Sequence, residues 1–226
     1  DPSDAVVDDV RYGREVLHVE VAAIRDMVEL LDERFGRAVE LLVSCTGRVV
    51  LTGVGKSGLI GQKISATLAS TGTPSLFMHS GEAVHGDLGR VMAADVVVAL
   101  SYSGTTAEVI RLVPLIKKIG ARLISVTDTR DNPLAEAADV PLEIGNISEA
   151  CPIGLAPTSS TTAMLALGDA LAMTVANRKS FSREEYALYH RGGAIGRQLV
   201  KVREVMRPLS EVPVVAPGTT VGAAIR

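Results

Sequence analysis

Arg48-Val-Val-Leu-Thr-Gly-Val-Gly-Lys-Ser-Gly58 is the stretch around which this chain is built. An apolar run is followed at once by three glycines, a lysine and a serine, and then by a helical pattern from Leu59 to Ser70. Strand, glycine turn and helix in this order are typical of the first unit of a parallel α/β sheet. Such a turn presents backbone N–H groups and a helix N-terminus to an anion, and Lys56 adds a positive charge. We therefore expect a phosphorylated or carboxylated ligand there.

Three kinds of anion site compete for this turn. A P-loop needs a glycine five residues before the Gly-Lys-Ser, where this chain has Val50, so a nucleotide triphosphatase is disfavoured. The dinucleotide fingerprint fits Gly53, Gly55 and Gly58, but the acidic residue expected after the second strand is Glu82, which comes late. A sugar-phosphate turn is the third interpretation, and the rest of the chain favours it. A tight strand-to-helix turn with a solvent-exposed lysine is the purely structural alternative.

Composition narrows the classes of protein. The 226 residues are 47% hydrophobic, which suits a sizeable α/β domain with its own core. The formal net charge of −3 argues against nucleic acid as the main partner. We expect no membrane partner, because the sequence has neither an apolar run of bilayer length nor a signal-peptide pattern. Cys45 and Cys151 are too far apart to suggest a disulfide framework, so the cytoplasm is the expected location.

Apolar periodicity predicts the order of the elements. Residues 5–44 have a helical pattern with more apolar face than one sheet can cover, which predicts contact with another subunit; the alternative is a helix that only caps the sheet. Five apolar runs then alternate with helical patterns, which predicts a doubly wound parallel sheet of order 2-1-3-4-5. The predicted strands are 48–52, 75–79, 95–101, 121–127 and 140–144.

The region after the sheet has three further signals. A helix over about 160–177 is apolar on nearly every face and is expected to be buried. Ser182 and Glu185 form a capping box for the next helix. From residue 203 the character of the sequence changes: residues 212–215 resemble a strand and Thr219 resembles a helix start. We expect residues 203–226 to be the truncated beginning of a second module.

Polar residues cluster where the predicted strands end. Because ligands of open α/β sheets bind at the carboxyl ends of the strands, these clusters should converge on one site. The turn after the third strand offers hydroxyls to a phosphate without a net positive charge, and it has more hydroxyls than a helix cap needs. The residues concerned are Lys56, Ser57, His79, Glu82, His85, Ser101, Ser103, Thr105, Thr106 and Glu149.

With these motifs in order, the chain resembles the sugar isomerase (SIS) domain of D-arabinose 5-phosphate isomerases over about residues 10–200. The tail resembles the start of a tandem cystathionine-β-synthase-type (CBS) pair, so the implied domains are SIS over 1–202 and a truncated CBS start over 203–226. The implied fold is a five-stranded parallel sheet flanked by helices, a flavodoxin-like three-layer sandwich. The resemblance rests on Thr52–Gly58, His85–Gly89, Ser101–Glu108, Glu149-Ala-Cys-Pro, Leu155–Thr162 and His190-x-Gly-Gly-Ala-Ile-Gly196.

The resemblance implies interconversion of D-ribulose 5-phosphate and D-arabinose 5-phosphate through an enediol, the step that feeds Kdo and lipopolysaccharide synthesis. It implies a homotetramer with shared active sites, no required cofactor, and His79 as a candidate contact for an inhibitory zinc ion. The implied catalytic positions are Lys56, Glu108, Glu149 and His190. The implied substrate contacts are Gly55, Ser57, Gly72, Thr73, His85, Ser101, Ser103, Thr105 and Thr106.

Moving a proton between neighbouring carbons requires a carboxylate base, an acid for the oxygens and a cation for the developing charge. We assign these roles to Glu149, His190 and Lys56, with Glu108 orienting its neighbours; the roles of the two glutamates are exchangeable.

The chain departs from the family at Arg191, where a proline is usual, and at Thr105, where a glutamate is frequent. A non-catalytic SIS module that binds a sugar phosphate, or a hexulose or aminosugar phosphate isomerase, remains the alternative function.

Overall fold

Five apolar runs form a single parallel sheet. The computed structural model describes residues 2–190, 202, 206–212 and 214–225. The strands pair in the order β2-β1-β3-β4-β5, all parallel, which confirms the predicted sheet and its topology. Each predicted strand end lies within one residue of the observed one. The strands are β1 (Val49–Gly53), β2 (Ser75–His79), β3 (Val96–Leu100), β4 (Arg122–Thr127) and β5 (Val140–Glu143).

Helices connect the strands and cover both faces of the sheet. A 3₁₀ turn at Asp87–Arg90 lies between β2 and β3. The helices are α1 (Pro2–Glu29), α2 (Glu33–Ser44), α3 (Gly55–Ser70), α4 (Ser80–Ala83), α5 (Ala107–Ile110), α6 (Val113–Ile119), α7 (Pro133–Ala137), α8 (Ser159–Arg178) and α9 (Arg183–Tyr189).

Alternating side chains of the strands divide the core into two layers. Val49 and Leu51 of β1 pack with residues of α1, α2, α3 and α8 on one face of the sheet. Val50, between them, packs with residues of α4 to α7 on the other face. Because successive side chains of a strand point to opposite faces, a strand with all five residues buried, as β1 is, must be covered on both sides. The result is the predicted three-layer arrangement.

The prediction of one helical segment over residues 5–44 is wrong in one respect, because the structure has two helices there. The break lies at residues 30–32, where Asp32 has an extended backbone and its carboxylate accepts a hydrogen bond from the Arg34 N–H at 2.9 Å. Aspartate is a favoured N-cap because it satisfies a backbone donor that the helix leaves free. The apolar stripe continues across the break, which is why periodicity alone did not reveal it.

Two helices after the sheet agree with their predictions. α8 is buried along the side that meets α1, α2 and α3, although Met173 is half exposed. Ser182 and Glu185 form the predicted capping box at the start of α9, each side chain accepting from the other's backbone N–H. The helical pattern between the third and fourth strands corresponds to two helices, α5 and α6, with Pro114 in the first turn of α6.

The described residues divide into two compact units, Asp1–Phe181 and Ser182–Arg226. The second unit contains α9, a 3₁₀ turn at Leu209–Glu211 and a short helix at Val221–Ala224. The strand predicted at 212–215 is wrong for its described residues, which are irregular and exposed because no neighbouring described strand pairs with them. The predicted domain boundary lies between residues 202 and 203. Residue 203 is outside the described residues, so this boundary stays a prediction.

Among the helices that the structure describes, none is both long enough and apolar enough to cross a membrane.

α3 and α8 approach closely at a glycine. A Cβ atom built on Gly168 of α8 would overlap the side chain of Ile64 in α3, and Ile64 is itself buried. Lys63 and Asp169 form an ion pair across the same two helices. Isoleucine has little rotameric freedom in a helix, so it cannot easily move away from a larger neighbour. Gly168 therefore sets how near the two helices lie to each other.

We predict that Gly168→Ala destabilises the fold by about 1–3 kcal/mol, because the added methyl group overpacks the contact with Ile64. Gly36→Ala is the matched control, since Gly36 lies in α2 with nothing within 4 Å of its Cβ position. That control should stabilise the chain by about 0.5–1 kcal/mol through helix propensity. Urea unfolding of the two variants measures the difference, and equal stabilities would contradict the role given to Gly168.

Candidate active site

The glycine turn lets α3 begin directly behind β1. A Cβ atom on Gly53 would lie 3.1 Å from the Leu100 carbonyl oxygen, and one on Gly58 would lie 3.1 Å from the Gly53 carbonyl oxygen. Gly55 has a φ of +57°, a conformation that suits glycine. Two of the three glycines of the apparent dinucleotide fingerprint therefore serve close packing. The first turn of α3 is left open and carries Ser57 on a half-buried side and Lys56 on an exposed one.

Lys56 lies at an electrostatically unfavourable position. The first turn of α3 contains no acidic residue, and its N-cap residue, Val54, provides no side-chain hydrogen bond. A helix N-terminus has a partial positive charge that favours anions, so a lysine there raises the local positive potential further. An anionic ligand would satisfy both the open N–H groups and the lysine.

The turn after β3 is prearranged by its own hydroxyls. The Ser101 and Thr106 hydroxyls lie 2.7 Å apart, and the Ser103 and Thr105 hydroxyls lie 2.9 Å apart. Gly104, at the centre of the turn, has a φ of +63°. Its missing side chain leaves room for Asn132, which a Cβ atom on Gly104 would overlap. We refer to residues 101–106 as the serine turn.

Asn132 supports the serine turn from behind. Its side-chain oxygen accepts from the Ala135 N–H at 2.9 Å, and its side-chain nitrogen donates to the Thr129 carbonyl at 2.8 Å. The Leu134 N–H donates to the Gly104 carbonyl at 3.2 Å. The loop between β4 and α7 is thereby joined to the turn by direct contacts. The backbone of the serine turn is therefore held by its neighbours at Gly104.

Glu149 is anchored at the first turn of α8. Its carboxylate accepts from the Thr158 N–H at 2.7 Å, the Thr158 hydroxyl at 3.1 Å and the Ser160 N–H at 3.3 Å, and it also accepts from the Ser160 hydroxyl. The Ala150 N–H in turn donates to the Thr158 hydroxyl at 2.9 Å. The residues that the sequence shows as a hydroxyl run therefore bind the carboxylate and fix its position.

These contacts determine the ionisation of Glu149. Partial burial acts to raise its pKa, but the hydrogen bonds from Ser160 and Thr158 outweigh burial and hold the pKa below its ordinary value. Hydrogen bonds to the charged form favour that form, and the helix N-terminus acts in the same direction. Glu149 is therefore ionised at neutral pH.

A pocket of about 480 Å³ opens between the starts of α3 and α8, the serine turn and the loop that follows β5. Among the described residues that line this pocket, Glu149 is the one with a carboxylate. Of the predicted site residues, Ser57 and Glu149 line the pocket. The other lining residues are Tyr102, Asn146, Ile147, Ser148, Gly154, Leu155, Pro157, Ser160, Thr161 and Met164.

Several predicted residues lie at the same edge of the sheet but outside the pocket lining. Lys56 and Glu108 are exposed in the first turns of α3 and α5. His79 and His85 are exposed after β2, and the His79 Nδ1 accepts from the Gly81 N–H at 3.2 Å. The parallel strands thus bring the predicted clusters to one edge, as expected.

Gly72 and Thr73 are the exceptions. They precede β2, so they lie at the opposite edge of the sheet from Lys56. Gly72 packs next to the ring of Phe181, and the Thr73 hydroxyl, in a buried residue, accepts from the Lys179 ammonium group at 3.1 Å. The structure does not bring these two residues to the pocket of the same chain. Their role as substrate contacts stays a prediction that requires a second copy.

His190 lies in the second unit, at the end of α9. Its ring stacks on that of Tyr186 with centroids 3.8 Å apart, and its Nδ1 lies 2.9 Å from the Tyr186 carbonyl oxygen. The ring is held by its own helix. Arg191 and the glycines after it lie outside the described residues.

No cluster of three His, Cys, Asp or Glu side chains suited to a metal ion occurs among the described residues. His79 does not complete a closed zinc site within them. Its contact with an inhibitory zinc ion stays a prediction.

The sheet agrees with comparisons to known proteins. The SIS domain family matches residues 42–174, which is more than half of the chain. A protein of Escherichia coli CFT073 solved in complex with A5P superposes with a TM-score of 0.79 and 44% identity, over 81% of this chain and 98% of that one. The fold is therefore that of a SIS-domain protein.

Two curated relatives narrow the family. The arabinose 5-phosphate isomerase KdsD of Pseudomonas aeruginosa is 47% identical over 97% of this chain and 68% of its own length. The enzyme of the same name from Escherichia coli K12 is 47% identical over 89% of this chain and 62% of its own length. The chain belongs to the arabinose 5-phosphate isomerase family of SIS-domain proteins, and it spans about two thirds of the length of these relatives.

We predict a pH-dependent stability difference between the unaltered chain and Glu149→Gln. Because the folded-state pKa of Glu149 is lowered, its stabilising contribution is complete above the ordinary glutamate pKa of about 4.3 and is lost as the pH falls through the folded-state value. Chemical unfolding between about pH 7 and pH 3 should show a difference that shrinks toward the acid end. Glu29→Gln, on the exposed surface of α1, is the control, and a difference that does not change with pH would contradict the anchoring role.

Proposed function

We propose that this chain is an aldose–ketose isomerase that interconverts D-ribulose 5-phosphate and D-arabinose 5-phosphate through an enediol intermediate. The observation that carries the proposal is a pocket that lies between a hydroxyl-rich turn, an open helix N-terminus with a lysine, and an ionised carboxylate. The identity to arabinose 5-phosphate isomerases of two species supports the choice of substrate. The product would feed Kdo and lipopolysaccharide synthesis.

The serine turn would bind the phosphate of the sugar. Its hydroxyls form two close pairs, Ser101 with Thr106 and Ser103 with Thr105, and each can redirect its proton to a phosphate oxygen. Neutral donors hold the phosphate without adding a second strong positive charge to the site. The non-reacting end of the substrate would be bound there, so that its carbonyl end reaches toward Glu149.

Glu149 would act as the base. Its lowered pKa keeps it ionised, but the same hydrogen bonds make it a weak base. The carbon acid of the substrate must therefore be made more acidic, and Lys56 would do this by stabilising the negative oxygen of the enediolate. His190 would move protons at O1 and O2, and Glu108 would orient Lys56 or His190. The exchange of roles between Glu108 and Glu149 remains open to test.

The enediol route needs acid and base groups and no electron acceptor, so no cofactor is included in the proposal.

We also propose that the active assembly is a homotetramer with shared sites, which light scattering on the full chain tests. The support is an apolar face of α1 that the described fold leaves exposed, since large apolar patches mark interaction surfaces. Its half- to two-thirds-exposed side chains are Val6, Val7, Val10, Leu17 and Val21.

The direct experiment is incubation of the chain with D-ribulose 5-phosphate, with and without EDTA, followed by chromatographic identification of the sugar product. Formation of D-arabinose 5-phosphate in both samples supports the proposal. Turnover of a hexulose or aminosugar phosphate instead would change the substrate class. Binding of sugar phosphates without any turnover would favour a regulatory module.

Lys56→Ala is predicted to lower kcat by about two orders of magnitude or more, because it removes the cation that stabilises the enediolate. The thermal stability of the variant should not fall, since Lys56 lies at the positive end of α3, where a cation is unfavourable. Steady-state kinetics and a melting curve test both statements. Lys118→Ala, at an exposed residue near the end of α6, is the control and should turn over normally. Near-normal kcat in Lys56→Ala would remove Lys56 from the mechanism.

Ser103→Ala should raise KM for the sugar phosphate more than it lowers kcat, because Ser103 would contact the end of the substrate that does not react. A lost hydrogen bond to a charged group costs about 1.5–3 kcal/mol, which corresponds to an increase in KM of roughly 10- to 100-fold. Ser70→Ala is the control, since that hydroxyl donates to Thr67 at the far end of α3. A fall in kcat at constant KM would mean that the serine turn does not bind the phosphate.

A further inference from the structure

Tyr102 joins the serine turn to the segment that carries Glu149. It lies between Ser101 and Ser103, and its hydroxyl accepts from the Ile147 N–H at 2.7 Å and donates to the Ile147 carbonyl oxygen at 3.3 Å. Both backbone groups of one residue are thus bound by one phenol. Ile147 is two residues before Glu149.

The segment 146–149 depends on this contact. β5 ends at Glu143, and the last backbone hydrogen bond along this edge runs from the Gly145 N–H to the Asp128 carbonyl at 2.8 Å. Within the described part of the chain, the Tyr102 hydroxyl is the hydrogen-bond partner of the backbone of residues 146–149. The next attachment is the Glu149 carboxylate at α8. The path of the chain into Glu149 is therefore set at Ile147.

The other end of Tyr102 is equally fixed. Its carbonyl accepts from the Asp128 N–H at 2.7 Å, and the Ser101 N–H donates to the Val126 carbonyl at 3.2 Å. A tyrosine side chain has only two rotatable bonds before its ring, so it acts as a stiff spacer between two held points. The ring also lines the pocket.

The phenol stays protonated at neutral pH, as its donor role requires. Burial is the main cause that raises the pKa of Tyr102, and the negative charges of Asp128 and Glu149 add to it, against the opposing effect of the Ile147 hydrogen bond. A neutral hydroxyl can accept and donate at once, which a phenolate could not.

We propose that Tyr102 is a positioning residue for the isomerisation, which sets the separation between the serine turn and the Glu149 carboxylate. The inference rests on the proposed function, in which the serine turn binds the phosphate and Glu149 acts at the reacting carbons. Misplacement of a catalytic group by about 1 Å can cost up to about 100-fold in rate. A spacer of fixed length between the two ends is a means to avoid that loss.

Tyr102→Phe tests the proposal, because it deletes the hydroxyl and keeps the ring in the pocket. We expect kcat to fall about tenfold while KM for D-ribulose 5-phosphate changes less than about twofold, since the phosphate contacts remain and the base loses its alignment. Tyr12→Phe, at an exposed tyrosine of α1, is the matched control and should not alter kcat. A melting curve verifies that each variant is folded.

A double-mutant cycle separates positioning from general support of the fold. In a Glu149→Gln background, Tyr102→Phe should leave the residual kcat unchanged within about twofold, because the group that it positions is already lost. A tenfold loss in both backgrounds, or a normal kcat in Tyr102→Phe alone, would overturn the inference while the unaltered chain still isomerises its substrate. Absence of turnover in the unaltered chain would instead refute the proposed function, and the inference with it.

Discussion

The contact of Ile64 with Gly168 brings together the two helices whose first turns line the pocket. α3 and α8 both begin at the carboxyl ends of the strands, and residues of both helices line the pocket, so their separation affects the distance between its walls. One first turn contributes Ser57, and the other holds the Glu149 carboxylate through Ser160 and its neighbour. A side chain at residue 168 would separate the helices and, with them, the two walls of the pocket.

The two helix starts that face the pocket differ in charge. The positive end of α8 is already neutralised by Glu149, which accepts four hydrogen bonds there. The positive end of α3 has no acidic residue, and Lys56 adds to its potential. Because helix N-termini attract anions, negative charge that develops on a bound substrate would be stabilised on the α3 side. The fold therefore provides an ionised carboxylate at one wall and an electropositive region at the other.

Hydrophobic pattern was sufficient to predict the sheet, because five short apolar runs separated by helical patterns leave few topologies. It was not sufficient at Asp32, since a local cap divides the predicted helix without interrupting its apolar stripe. The sequence was sufficient to predict that the candidate site lies at the carboxyl ends of the strands. Two sets of contacts in the site could not be predicted from the sequence. Thr158 and Ser160 anchor Glu149, and Tyr102 contacts Ile147. These contacts join residues 9 to 45 positions apart, and no spacing rule connects them.

In the proposed reaction, the need for differential binding accounts for a serine turn that is rich in hydroxyls and lacks cations. Binding energy speeds a reaction only where it is larger in the transition state than in the ground state. The phosphate of the proposed substrate keeps its charge throughout, so neutral hydroxyls such as those of Ser101 and Ser103 would suffice to hold it. The enediolate oxygen gains its charge during the reaction, and a cation is best placed there. Lys56 and the serine turn lie after different strands, so in the proposed reaction the sheet would keep the constant charge and the developing charge apart.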